Sequence, residues 1–252
     1  MIDDRIAARR AGVRDASRRR RLKRTIAVVL AVLVAVVLVL VERSALVGLE
    51  EVTVTGTDRL AADDVRDAAG LTLGTSTLRL DLDGAADRVG DLPLVRTATA
   101  RRLDPLTVEL AVVERTPLLR VSGGGEERLV DRDGVVMLDG ADDDLEVMTI
   151  ALPHTPPAPG ATVADDPALG NAHAVWIGLS GPLRTATAQV VADGGDEVSL
   201  VLDRGIEVRI GRAERLDEKV RALGAILEDI GDSDMVAVID VRAPTAPVVR
   251  GR

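Results

Sequence analysis

The chain has 252 residues, 41 of them Asp or Glu and 32 Lys or Arg, for a formal net charge of −9, with no Cys, Phe or Tyr and a single Trp, Trp176. Without Cys, disulfides, thiol catalysis and thiolate metal sites are excluded. An acidic balance, with no aromatics interleaved among the basic residues, argues against a nucleic-acid partner.

The charge is unevenly placed. Ten Lys or Arg fall in residues 1–24 against Asp3, Asp4 and Asp15, a net of +7, which leaves −16 on the remainder. Directly after this basic leader, Ile26 to Val41 are sixteen consecutive apolar residues, thirteen of them Val, Leu or Ile. At roughly −0.3 to −0.6 kcal/mol each near a bilayer centre, such a run favours insertion by several kcal/mol. A helix over 25–47 therefore reads as a single membrane span, with Arg24 and Arg43 able to snorkel. A buried core helix is a poor alternative for a run with no polar face. A cleaved signal peptide is a closer one, but the leader is long and Glu42-Arg43-Ser44-Ala45 has no small-x-small cleavage pattern. Basic residues on the cytoplasmic side then put the N-terminus in the cytoplasm and the acidic remainder outside. Ala27, Ala31 and Ala35 share one helical face, a seam by which another membrane helix can approach. Chance recurrence in an Ala-rich chain explains them somewhat better.

Beyond the span, Leu49 to Thr55 alternates as a half-buried strand that ends at Gly56. Ala62 to Ala69 has helical spacing, with Val65, Ala68 and Ala69 inward and Gly70 placed to end the helix. A second helix is expected over Gly84 to Gly90, capped by Asp83, with Ala85, Val89 and Leu92 inward. Val95 to Leu103 and Thr107 to Arg115 read as strands joined at Asp104-Pro105, with Val108, Leu110 and Val112 on one face. The order is β-α-α-β-β.

Arg128 to Asp131 and Val135 to Leu138 read as a hairpin about Asp131-Arg132-Asp133-Gly134. Asp142-Asp143-Asp144 and the Pro-rich stretch Pro153 to Asp166 read as irregular surface chain. A helix follows near Pro167 to Leu179, then strands near Thr185 to Val191, Glu197 to Leu202 and Gly205 to Ile210. Leu216, Val220, Leu223, Leu227 and Ile230 form one apolar stripe on a helix that ends at Gly231. Met235 to Val241 is a last apolar strand, with Pro244 to Arg252 as a short tail.

No catalytic constellation emerges. His154 and His173 are the two histidines, and neither has a companion at metal-ligand spacing. Gly123-Gly124-Gly125 lacks the Lys-Ser/Thr of a phosphate loop, and no G-x-S-x-G elbow is present. Asp131-x-Asp133-Gly134 lacks the further ligands of a calcium loop. No cofactor is expected.

Six local patterns occur in one order: V-T-V-T-G at Val52 to Gly56, D-D-V-R-D-A-A-G-L at Asp63 to Leu71, L-P-L-V-R-T-A at Leu92 to Ala98, V-V-E-R-T-P at Val112 to Pro117, L-V-D-R-D-G-V-V at Leu129 to Val136 and I-D-V-R at Ile239 to Arg242. Together with the span before them, they resemble the FtsQ/DivIB family of bacterial cell-division proteins over nearly the whole chain. The resemblance implies a single-pass membrane protein whose external part is α+β: a POTRA module of β-α-α-β-β order, then a β-rich domain with a packed C-terminal helix. The corresponding division is a basic tail over 1–24, a span over 25–47, POTRA over 48–117, a β domain over 118–243 and a tail over 244–252. Relatives often start the first POTRA helix with a Ser or Thr cap, where Ala61 stands here, so Asp58 or water is expected to replace it.

The family resemblance further implies a non-enzymatic scaffold of the septal division machinery in the cell membrane. Its partners would be an FtsB/DivIC-like protein coiled with an FtsL-like one, and other divisome membrane proteins. Mapped onto this sequence, the contact falls on Asp240, Val241, Arg242, Pro247, Val248 and Val249. Arg242 would clamp a carboxylate, and Val248 and Val249 would offer a short strand edge. A membrane-anchored POTRA protein that handles secreted polypeptides is the second reading.

Overall fold

In a computed structural model, residues 23–40, 47–139, 145–231 and 235–252 are described. Residues 1–22 of the basic leader, the expected continuation of the span over 41–46 and the Asp142–Asp144 run lie outside them. Helix α1 (Lys23–Leu40) has 18 residues, all exposed. At 1.5 Å per residue it is about 27 Å long, close to a hydrocarbon core of about 30 Å. Ala27, Ala31 and Ala35 are exposed along it.

Strand β1 (Glu51–Thr55) pairs in parallel with β3 (Thr107–Glu114), with Val52 opposite Val108. On the other side of β3, β2 (Val95–Arg102) runs antiparallel, giving the order β1-β3-β2. Helices α2 (Ala62–Ala69) and α3 (Leu82–Gly90) turn Val65, Ala69, Ala85 and Val89 onto the core around Leu110 and Val112 of β3. Gly70 ends α2 in the left-handed conformation at φ 64°, where a side chain would be strained. This is the expected β-α-α-β-β module.

Ala61 makes no side-chain cap. Ahead of the helix, the Glu114 carboxylate, at the end of β3, accepts hydrogen bonds from the backbone N–H groups of Asp58, Arg59 and Leu60 at 2.8, 3.1 and 2.9 Å, fixing the approach to α2 rather than capping it. A partner 54 or more residues away cannot be read from local sequence. Helix α3 starts earlier than expected, with Asp81 rather than Asp83 as its cap, accepting from the Gly84 N–H at 2.9 Å. Asp83 sits inside the first turn, where its charge still favours the helix dipole.

Only Arg115 and Thr116 separate β3 from β4 (Pro117–Gly123), the first strand of a nine-stranded mixed sheet. The other strands are β5 (Glu126–Asp131), β6 (Val136–Asp139), β7 (Met148–Ala151), β8 (Thr187–Gly194), β9 (Glu197–Leu202), β10 (Glu207–Arg209), β11 (Val236–Asp240) and β12 (Val248–Gly251), in the order β12-β11-β10-β9-β8-β7-β4-β5-β6. Helices α4 (Pro167–Gly178), α5 (Gly181–Thr185) and α6 (Leu216–Ile230) complete the domain. Its core gathers Leu119, Ile150, Leu169, Val190, Leu200, Val208, Leu223 and Ile239.

Strands β4 and β7 are additions to the sequence reading. Pro117 and Gly123 at the ends of β4 are weak strand formers, and four residues in β7 carry too little alternation to read. Gly124 and Gly125 form the β4–β5 turn, both with positive φ. The strand expected from Thr185 starts at Thr187 because α5 takes the preceding residues, with Pro182 in its first turn. Lys219, on the apolar side of α6, is also buried; its ammonium donates to the carbonyls of Ile210 at 3.0 Å and Arg212 at 2.7 Å.

The two sheets meet at a compact junction. Leu94 of the first domain is buried against Leu129 and Met137 of the second. Beside them, Arg115 Nη1 lies 2.7 Å from Asp131 Oδ2, and Arg96 lies 3.3 Å from Asp133. The other oxygen of Asp131 accepts from the Val135 N–H at 2.8 Å, closing the Asp-Arg-Asp-Gly turn. The Asp131 carbonyl faces Nε2 of buried His173 at 3.3 Å, so one residue ties together β3, the β5–β6 turn and α4.

Two outcomes follow from these contacts. Burial raises the Glu114 carboxyl, but the N–H groups of Leu60, Asp58 and Arg59 outweigh it and hold the group below the ordinary glutamate value. A carboxylate depressed in the folded state contributes stability above its unfolded value, about 4.3, that is lost as pH falls through the folded value. Glu114→Gln is therefore expected to cost about 1 kcal/mol at neutral pH and to flatten the acid limb of a urea-unfolding series. Asp131→Ala leaves Arg115, in a partly buried site, with only the longer 3.9 Å contact to Asp133, and is expected to destabilise by roughly 2–4 kcal/mol, measured the same way.

Candidate partner-binding edge

The nine-stranded sheet ends at β12 on one side and β6 on the other. Beyond β6, residues 160–163 cover the start of the edge: Val136 donates to the Ala161 carbonyl at 2.9 Å, Gly160 donates to the Val136 carbonyl at 2.8 Å, and Val135 forms a bridge with Thr162. Strand β12 has a neighbour on one side only, β11, with Asp240 opposite Val248 and Ile239 opposite Val249. Its outer row of backbone groups is open among the described residues, the situation in which a sheet accepts a further strand.

All four residues of β12 are exposed; Val248 is 48% and Val249 45% accessible, so both faces of this strand are uncovered. Pro247, just before it, is exposed at a position where its missing N–H costs an edge strand little. The tail expected over 244–252 thus folds back as an edge strand. Arg252 fastens its end, donating its backbone N–H to the Met235 carbonyl at 2.8 Å and its guanidinium to the Arg204 carbonyl at 3.3 Å.

The remaining mapped residues are placed differently. Val241 is fully buried in the core and can offer a partner no side-chain surface. Arg242 is half exposed but already engaged: its guanidinium lies 2.7 Å from Asp240 Oδ2 and 3.1 Å from Glu197 Oε1, and its backbone N–H donates to Asp240 Oδ1 at 3.1 Å. The hydrogen bond from Arg242 holds Asp240 below the ordinary aspartate value against the opposing effect of burial, and Asp240 raises the Arg242 value in return. Arg242 therefore braces β11 against β9 from within its own domain. Its partner Glu197, 45 residues earlier, has no spacing signal that would have revealed it.

The candidates for chemistry have structural employment. His154 Nε2 lies 2.6 Å from Asp166 Oδ2, while Asp166 Oδ1 caps α4 by accepting from the N–H groups of Ala168 and Leu169 at 3.0 and 3.2 Å. This pair pins the Pro-rich stretch to a helix start. Among the described residues, no group of three or more His, Cys, Asp or Glu is placed to hold a metal ion.

Comparison with known proteins agrees with the two-sheet architecture. Residues 47–115 match the model of the POTRA domain, FtsQ-type, and residues 119–242 match that of the cell division protein FtsQ/DivIB, C-terminal. A cell division protein FtsQ of Streptomyces collinus is 31% identical over 208 residues, covering 81% of this chain and 78% of that relative. The chain belongs to the FtsQ family. Another FtsQ, from Mycobacteroides abscessus, is 32% identical over 205 residues, covering 81% of this chain and 62% of the relative. The chain spans only about three fifths of the length of its mycobacterial FtsQ relatives. Within this FtsQ-family chain, the first matched region holds the three-stranded sheet and the second holds the nine-stranded sheet from β4 to β11, with β12 lying beyond its end.

The bracing role of Arg242 is open to measurement. Because the pairs are half exposed, Arg242→Ala is expected to cost under about 1 kcal/mol of global stability. It should instead speed amide exchange at 248–251 relative to β9, as the end of β11 loses its tie.

Proposed function

We propose that this chain is a non-catalytic membrane-anchored component of the septal division machinery, acting by holding partner proteins rather than by turnover. The observation that carries this reading is the contrast between the two sheet edges: one is covered at its start by the chain's own 160–163 segment, the other is left open with two exposed valines. In this reading the N-terminus is cytoplasmic, as the +7 leader favours, and the segments 48–117 and 118–243 are two external binding modules. The partner is an FtsB/DivIC-like division protein, itself coiled with an FtsL-like one, whose extended segment adds to β12 through Pro247, Val248 and Val249. Asp240 and Arg242 set the geometry of that edge, and Val241 anchors it from below. Ala27, Ala31 and Ala35 add a small-residue seam for a neighbouring membrane helix.

Because Arg242 is structurally committed, the test uses the exposed positions. Val248→Asp with Val249→Asp, in the full chain, is expected to lower capture of an FtsB/DivIC-like partner at least tenfold, about 1.4 kcal/mol, with unchanged thermal unfolding. Capture at the original level would discard the edge as the contact. A fluorescent fusion spread evenly over the membrane of dividing cells would discard the septal role, and turnover of wall polymer by the purified chain would discard the non-catalytic one.

A further inference from the structure

Outside α1, three of the most exposed large apolar side chains occur together at one end of the first domain. Leu73 and Leu78 are each 62% exposed and Leu103 is 49% exposed. Leu73 and Leu78 lie in the α2–α3 loop and Leu103 in the β2–β3 turn, and hydrogen bonds bring these loops together where the chain arrives from α1. Gly74, next to Leu73, donates to the Leu49 carbonyl at 2.7 Å, and Thr77, next to Leu78, donates to the Val47 carbonyl at 2.8 Å. The buried Thr77 hydroxyl donates to the Pro105 carbonyl at 2.8 Å, and Arg102, next to Leu103, donates to the Thr77 carbonyl at 2.5 Å. The three leucines therefore surround the point at which residues 47–49 join the domain.

That point is leashed to the membrane. Seven peptide steps separate Leu40, at the end of α1, from Val47, a span of roughly 25 Å at most even if fully extended. We infer that Leu73, Leu78 and Leu103 form a membrane-contacting end of the first domain, resting in the headgroup and upper acyl region of the bilayer that α1 crosses. This rests on the reading of α1 as a span. Charge is not the attraction, since Arg79 and Arg102 at this end are offset by Glu50, Asp81 and Asp104. Apolar contact is, and a tether this short supplies the high effective concentration that lets a weak contact persist. The bilayer is the occupant because it is the one surface the leash keeps within reach of these loops.

The absence of Cys allows single-site labelling of the full chain reconstituted in phosphatidylcholine–phosphatidylglycerol vesicles with shallow brominated acyl chains. A fluorophore at Thr72→Cys reports the loop, one at Met235→Cys the second domain and one at Val34→Cys the span. The reporter at 72 is expected to be quenched at least about twice as strongly as that at 235. Combining Leu73→Ser, Leu78→Ser and Leu103→Ser should bring it down to the level at 235, with the quenching at 34 unchanged. Quenching at 72 that survives the triple substitution reflects the tether alone and overturns the inference, as does quenching that fades when the protein is diluted in lipid, which marks contact between copies. Equal quenching at 72 and 235 with strong quenching at 34 overturns this inference only; absence of quenching at 34 overturns the span and the inference together.

Discussion

The relation between the two domains depends on the ion pair of Arg115 and Asp131. With two residues between β3 and β4, the chain has almost no slack there, and an orientation must be held by contacts rather than by length. Asp131 divides its hydrogen bonds between the guanidinium of one domain and the turn of the other, while its carbonyl faces His173 of α4. Beside Leu94, Leu129 and Met137 such a pair is costly to break, because removing one partner leaves the other largely buried with only the Val135 N–H or the longer Asp133 contact to compensate it. It thereby holds the three-stranded sheet against the nine-stranded one.

The order and type of elements were largely legible because most of them carry strong periodicity. The alternation at Val108, Leu110 and Val112 and the stripe of α6 each have one face to bury, and the core confirms those faces. Illegible features are those decided by partners far away in the chain. Glu114 gathering the N–H groups of residues 58–60, Asp166 holding His154, and Glu197 bracing Arg242 are side-chain meetings with no local spacing. Strand β7 failed for another reason: four residues flanked by strands on both sides owe their form to the sheet rather than to their own pattern. The mapped edge residues divide along the same line. Exposed Val248 and Val249 follow from a tail with Pro247 at its start, whereas the internal engagement of Arg242 and the burial of Val241 depend on tertiary neighbours.

Open strand edges are hazardous, and this chain treats its edges unequally. The 160–163 segment covers the start of β6, and the Arg66 guanidinium donates to the Val52 carbonyl at 3.0 Å on β1. Strand β12 receives no such cover. Leaving it bare gains nothing for stability, since its side chains bury little, and the proposed partner contact would make use of that exposure.

The composition constrains how that chain can be held. Interfaces usually draw their strongest contacts from Trp, Tyr and Arg. Here there is no Tyr or Phe, the single Trp176 is buried in the core, and the edge arginine Arg242 is spent on Asp240 and Glu197. Side-chain anchors from this face are then limited to short aliphatics. Backbone pairing does not depend on side-chain size, and an added strand makes hydrogen bonds to every second residue while burying Val248 or Val249 on its faces. A chain depleted of aromatic residues can bind through a sheet edge without needing any residue it lacks.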